Sequence, residues 1–582
     1  MRKLTQWYRL AGVVAAVTIG GCKSLEVTNP NAPDAKRAFS DPGAVAGLIT
    51  GAVRSWVLTR ESYDGSLTLD VMADTYSSSW NNWNLRYYTS YNSDCTERCG
   101  WANSPSDPHR FEIETFYYGY YSLLSSVNDV LTAIRKNGVD LGGTAATKLH
   151  EAVGVMLQAI VFANIALDYD QGFVVTENTD LSNPATLPFL NRSVMRDSAL
   201  AKFNQAIALM QATPFAATPT TWLLGPTYSS TQLIQLIHTM RAELIADFPR
   251  NSAEVGQANW AQVATEASQG LSSGTGFDFI FHSDYNVLYD GVKDWGNSNG
   301  TMRVDTRLAR LVTGGYPDAL GTGPVYRDPY PNTPEPPPFS KDKRVGDGSW
   351  GPEDNASGQS SVAATANAGT DFAWFPHEIM NPSRGTYHRS SLGHIRYNYL
   401  VSPGSGLPSE NGTGPAPVYT KTQNDLLWAE GLLRGGGSAT QAATLINKTR
   451  VGRGGLTALT GAEGQATLLT ALQYEQEVEE FGIGPVAFHN RRRGTAEGGG
   501  ANLANLRTCP GGILCLWIGT PRHMPVPAKE LSVLQKELYT FGGVGQPDLS
   551  PSYVGGEAVF NVRQIGEALR KKELEERRSR KQ

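Results

Sequence analysis

From Tyr76 to Trp101 the chain carries Tyr76, Trp80, Trp83, Tyr87, Tyr88, Tyr91 and Trp101, interleaved with Asn81, Asn82, Asn84, Asn92 and Asp94. Flat rings stack on the apolar faces of sugars or amphiphiles, and neighbouring amides pair with hydroxyls. Such a set does non-covalent capture, and Trp80, Asn81, Trp83, Tyr88 and Trp101 are its candidate contacts. The same rings could instead plug a core beneath a loop, and the residues alone leave both readings open. A second group, Tyr285, Tyr289 and Trp295 among Asp284, Asn286 and Asp294, adds Tyr289 and Trp295 as candidates.

Residues for covalent chemistry are sparse. There is no Gly-x-Ser-x-Gly, no phosphate loop, and His377-Glu378 lacks the second histidine of a zinc-protease helix. His388 and His394 lie six apart, a spacing with no ligand geometry on a helix or a strand. Glu475, Glu477, Glu479 and Glu480 could offer a carboxylate pair for glycoside hydrolysis, but on a helix they are expected to form a solvated or salt-bridged face. Asp70 and Asp74 share a helical face without a calcium-loop pattern around them. No catalytic residue, metal site or cofactor is therefore assigned.

The five cysteines divide by position. Arg2, Lys3 and Arg9 precede the apolar run Leu10 to Ile19, and Gly20-Gly21 precede Cys22. That is a secretory signal, residues 1–21, with a cysteine where a bacterial lipoprotein would be cut and lipidated. The run is too short to span a bilayer, which takes about 20 apolar residues. Cys95/Cys99 and Cys509/Cys515 then remain as two local disulfides in an oxidising compartment. Zinc is the rival reading, but Cx3C and Cx5C spacings without a nearby histidine serve it poorly.

Removing the signal takes three basic residues and moves the formal charge from −5 to −8. No nucleic-acid motif accompanies it. The elements that must position the rings are helical. Val45, Leu48, Ile49, Ala52, Val53 and Trp56 recur at helical spacing behind Asp41-Pro42. Similar stripes run through Ile113 to Ile134, Leu149 to Ile165, Leu200 to Met210, Leu233 to Leu244, Trp260 to Leu271, Leu426 to Leu433 and Leu468 to Phe481. Ala152, Ala159, Ala163 and Ala166 inside the third would let a neighbouring helix come close, as in stacked tetratricopeptide-like hairpins, although no strict 34-residue period is present. Between about 277 and 419 this signal fades into Pro- and Gly-Ser-rich stretches, with short strands expected at Val325-Tyr326 or His394-Ile395-Arg396-Tyr397.

Six pieces in order resemble the SusD/RagB-like family of outer-membrane nutrient-binding lipoproteins. They are Cys22-Lys23-Ser24-Leu25-Glu26-Val27-Thr28-Asn29-Pro30-Asn31; residues 151–170 followed by Gln171-Gly172; Leu426-Leu427-Trp428-Ala429-Glu430-Gly431-Leu432-Leu433-Arg434; Ile446-Asn447-Lys448-Thr449-Arg450 with Gly454-Gly455-Leu456; Glu475-Gln476-Glu477-Val478-Glu479-Glu480-Phe481-Gly482; and Arg522-His523-Met524-Pro525-Val526-Pro527-Ala528-Lys529-Glu530-Leu531. Ala487-Phe488-His489-Asn490-Arg491-Arg492-Arg493 departs from the family's usual continuation. The resemblance implies a mainly α protein whose tetratricopeptide-like helical-hairpin scaffold carries a loop-rich second half. On that layout residues 22–275 are the N-terminal helical scaffold with the aromatic loop 76–101. Residues 276–420 are the ligand-facing region, 421–570 complete the scaffold, and 571–582 form a charged tail. The resemblance further implies a glycan or peptide ligand, a TonB-dependent barrel transporter of the SusC type as partner, and a lipid anchor in the outer membrane. A secreted carbohydrate-active enzyme and a ligand-free scaffold are the competing readings.

Overall fold

The computed structural model describes residues 39–78, 81–89, 95, 98–297, 302–313, 340–349, 369–374, 389–397, 412–498 and 513–543. The signal, Cys22, Trp80, Cys509, Val325-Tyr326 and the charged tail lie outside the described residues.

Helix α1 (Pro42–Arg60) starts where its sequence signal lies: Asp41 accepts from the Gly43 and Ala44 amides, and Pro42 occupies the first turn. Its apolar stripe, Val45, Ile49, Ala52, Val53 and Trp56, is buried against α2 (Phe111–Arg135). Helix α3 (Thr144–Asp168) is enclosed from Leu149 onward. It has the length and hydropathy of a membrane span, but its neighbours α2 and α4 (Arg192–Ala212) pack directly on it. Gly154 lets Leu131 of α2 approach, since a Cβ there would meet Leu131 Cδ2 at 3.1 Å.

A capping box of Ser229 and Gln232 opens α5 (Ser230–Asp247). The stack continues through α6 (Trp260–Ser268), α7 (Lys421–Arg434), α8 (Ala439–Arg450) and α9 (Gln465–Glu479), each packed on an element already named. These packed neighbours form the expected mainly helical scaffold. Helix α10 (Val486–Gly498) contacts α5 and α9.

Between α6 and α7 the chain forms short strands. Tyr76–Ser78 pairs antiparallel with Met302–Val304, placing Tyr76 opposite Val304. Phe279–Ser283 pairs with Gly414–Tyr419. Phe372–Trp374 lies between Val345–Ser349 and Leu392–His394. The strand expected at 394–397 thus ends where the expectation began. Arg396 turns away to donate to the Glu479 carbonyl at 2.8 Å. A second core of Leu67, Val71, Tyr76, Leu85, Val292, Met302, Val304, Phe372 and Phe481 underlies this region.

The acidic segment around α9 is buried and not a solvated face. Glu475, Glu477, Glu479 and Glu480 are all enclosed. Arg344 Nη1 donates to Glu475 Oε2 and Glu479 Oε1, each at 2.7 Å, and Arg491 Nε donates to Glu477 Oε1 at 2.6 Å. Glu480 accepts from Asn490.

Candidate ligand-binding surface

Past the end of α1 the chain makes one π-helical turn, Tyr63–Leu67, closed by the Leu67 amide donating to the Ser62 carbonyl at 3.2 Å. The wider turn sends Leu67 into the second core and leaves Tyr63 half-buried at the edge; such turns recur at functional sites. Gly65 is required there, because a Cβ would stand 2.1 Å from Phe116 Cε1.

Trp83 sits in a tight turn, Asn82–Asn84, with φ 53° and ψ 31°, and Asn84 follows at φ 55°. Asparagine tolerates the left-handed region, but a bulky tryptophan there costs about 1–3 kcal/mol. Asn84 is held by Nδ2 donating to Glu112 Oε1 at 2.8 Å and to the Pro108 carbonyl at 3.1 Å. The strained turn aims the indole at Tyr63: their rings stack with centroids 3.9 Å apart and planes 22° apart.

Residues 284–295 supply the other half. Asp284 Oδ1 accepts from the amides of Asn286, Val287 and Leu288 at 3.0, 2.7 and 3.0 Å, folding a tight loop that leaves Tyr285 45% exposed. Tyr285, also left-handed at φ 64°, meets Tyr289 edge-on at 5.3 Å. Tyr289 meets Tyr63 edge-on at 6.2 Å, and Tyr289 Oη donates to Asp294 Oδ2 at 2.5 Å. Trp295, in the short helix Gly291–Gly296, touches Trp83 edge-on at 6.1 Å. Trp295, Trp83, Tyr63, Tyr289 and Tyr285 therefore form one continuous row of partly exposed rings, the first three packed on the second core. Polar groups accompany it. Asn81 is exposed, and burial pushes the half-buried Asp64 carboxyl up to about 6.

Of the residues singled out in sequence, Trp83, Tyr289 and Trp295 come together here. Tyr88 and Trp101 do not belong to this surface. They are 0% and 3% exposed and pack on each other at 5.0 Å in the main core. Their polar tips are satisfied internally: Tyr88 Oη donates to the His109 carbonyl at 2.7 Å and Trp101 Nε1 to the His523 carbonyl at 3.0 Å. They fasten the 76–101 segment to the C-terminal stretch, where the Trp101 amide also donates to the Phe541 carbonyl at 2.9 Å. A disulfide joins Cys95 to Cys99, with Cα atoms 5.4 Å apart, and Cys515 is also disulfide-bonded. The row's central ring, Tyr63, escaped sequence reading because it stands alone behind a helix end; only its tertiary neighbours mark it.

The carboxylates considered for calcium and for catalysis are enclosed. Asp70 and Glu479 are 0% and 1% exposed, the latter between Arg344 and Arg453. Glu243, Asp247 and His489 converge closely enough to suggest a metal. Their partners are instead Arg60, Arg493 and Asp168, so guanidinium groups already supply the positive charge.

No family signature matches the chain, and no curated protein matches it in sequence. Solved structures do match in fold. A SusD superfamily protein from Parabacteroides distasonis is 12% identical with a TM-score of 0.56, over 87% of this chain and 99% of that one. A SusD homolog from Bacteroides thetaiotaomicron is 13% identical with a TM-score of 0.54, over 86% and 98%. A SusD-like carbohydrate-binding protein from Bacteroides fragilis is 12% identical with a TM-score of 0.52, over 79% and 87%.

Proposed function

Because the chain has the SusD-like fold, we propose that it is a binding protein that captures a glycan on the row from Trp295 to Tyr285. The observation that carries this is the row itself: five partly exposed rings in mutual contact, two of them held in left-handed backbone. Surface strain of that kind persists only where the surrounding structure enforces it, and a ligand surface gives it a purpose. The carbohydrate-binding description of the Bacteroides fragilis neighbour is consistent with this ligand class.

The same reading includes a lipid anchor at Cys22 on the outer membrane, supported by the signal pattern and the two glycines before that cysteine. It also includes delivery to a TonB-dependent transporter of the SusC type. An anchored binder beside its transporter works by effective concentration, so modest affinity suffices. The protein acts as a binder and performs no turnover.

The deciding experiment is calorimetry of the mature chain and its Trp83→Ala variant against a panel of oligosaccharides, with products analysed after overnight incubation. The reading expects binding without turnover and its loss in the variant. Turnover, or binding indifferent to Trp83, would overturn it. A mild-detergent pull-down of the lipidated chain tests the transporter: a stoichiometric barrel supports delivery, and recovery of the chain alone counts against it.

A further inference from the structure

The row is assembled from stretches far apart in sequence, and side-chain and backbone contacts alone set their spacing. One join is unusually buried. Lys293 Nζ lies 2.8 Å from Glu61 Oε2 and 2.8 Å from Asp290 Oδ2, and all three side chains are at most 1% exposed. Glu61 closes α1 just before Tyr63, whereas Lys293 and Asp290 belong to the segment bearing Tyr289 and Trp295. Beside this triad the Gly291 amide donates to the Glu61 carbonyl at 2.9 Å. A Cβ on Gly291 would stand 2.7 Å from Tyr63 Cδ1 and 3.0 Å from the Tyr63 nitrogen.

Resting on the glycan-binding reading above, we propose that Lys293 is a positioning residue for the ligand surface: its buried ion triad with Glu61 and Asp290, together with the close pass of Gly291, holds Tyr63 and Trp83 in register with Tyr289 and Trp295. A buried triad is a poor source of stability compared with apolar packing of the same volume, so its use at this join fits a role in registry. Asp290 also caps the short helix, its Oδ1 accepting from the Lys293 amide at 2.8 Å, so one residue ties both helix start and ammonium. The ammonium further lies 5.5 Å from the centre of the Tyr397 ring. Asp70, fully buried with no hydrogen-bond partner on either oxygen, adds a third acid to its surroundings. Removing Lys293 would leave these acids facing one another, with Arg60 and Arg491 as the remaining cations nearby.

The test uses the mature chain labelled with 5-fluorotryptophan, its Trp83, Trp222, Trp295 and Trp517 signals assigned by single Phe substitutions. Lys293→Met and Gly291→Ala should each shift both signals while those of Trp222 and Trp517 stay in place. Leu445→Ala, in the distant α7–α9 core, should lower the Tm and move neither. Maltoheptaose, cellohexaose and laminarihexaose serve as calorimetric probes, and any that the parent chain binds should bind more weakly to both variants. Should Lys293→Met fail to fold, Gly291→Ala decides alone. Folded variants with unmoved Trp83 and Trp295 signals would overturn the positioning role. Signals that move while Trp83→Ala leaves probe binding intact would overturn the ligand surface and, with it, the proposed purpose of the strut.

Discussion

Arg344 Nη1 donates to Glu475 Oε2 at 2.7 Å, joining the start of a loop-region strand to the middle of α9 across 131 positions of sequence. The same guanidinium reaches Asp342 and Glu479. Burial pulls the arginine's pKa down, but Asp342 and Glu475 more than offset it and hold it well above the usual range. Arg344→Met should cost about 3–5 kcal/mol of unfolding free energy, because the partners remain buried without their cation. Urea denaturation with an unchanged m-value checks it; a loss under 1 kcal/mol would show that the acids find other partners.

Trp83→Gly separates strain from contact. Glycine occupies the left-handed region freely, so the variant should keep its Tm or gain the equivalent of about 1 kcal/mol while losing the stacking face. Glycan affinity should fall by about 1–3 kcal/mol, by analogy with ring stacking on bases. Calorimetry and a thermal melt on one sample read both.

Gly65→Ala forces a Cβ to within 2.1 Å of the Phe116 ring. Overpacking of this kind costs about 1–3 kcal/mol, and the turn should move outward, carrying Tyr63 with it. Lower stability and weaker binding are expected together. Lower stability with unaltered binding would remove Tyr63 from the ligand surface.

His489 gives a pH dependence of known sign. Burial and the neighbouring Arg492 lower its pKa to about 4, against Asp168, which accepts from it at 2.7 Å. The unfolded chain takes up that proton near the ordinary value of about 6.5, so the folded state loses stability as pH falls from there to about 4 and then levels off. The contribution is at most about 3 kcal/mol. The difference in stability between the parent chain and His489→Gln, followed by chemical denaturation from pH 8 to pH 4, should change through this window; a flat difference would refute it.

The helical stripes were readable because burial repeats at the helix period: Val45, Ile49 and Trp56 point inward as their spacing predicts. Three of the five rings in the row, Trp83, Tyr289 and Trp295, were readable too, since they stand among amides and carboxylates. Tyr88 and Trp101 have the same local company and went to the core. Which partners each ring meets far away in sequence, His109 and Phe541 for Tyr88 and Trp101 against Tyr63 and Trp295 for Trp83, decides its place, and no local pattern encodes that. Of the two readings of the acidic segment, solvated or salt-bridged, the second holds, and its burial was not readable because Arg344 and Arg453, which neutralise Glu479, lie outside the helix.

Helix α3 carries two buried amides, Gln158 and Asn164, in a mostly apolar enclosed stretch. Gln158 Nε2 donates to Asn128 at 2.7 Å and to Glu177 at 2.9 Å, partners that exist only after folding. Until the helices close, α3 is a segment hydrophobic enough to pass into lipid. There Gln158 would find neither Asn128 nor Glu177, and hydrocarbon gives a bare amide nothing in return. Gln158 thus biases the segment toward the arrangement in which α2 and Glu177 close around it, whereas Asn164 is answered within the helix by the Ile160 carbonyl at 2.8 Å.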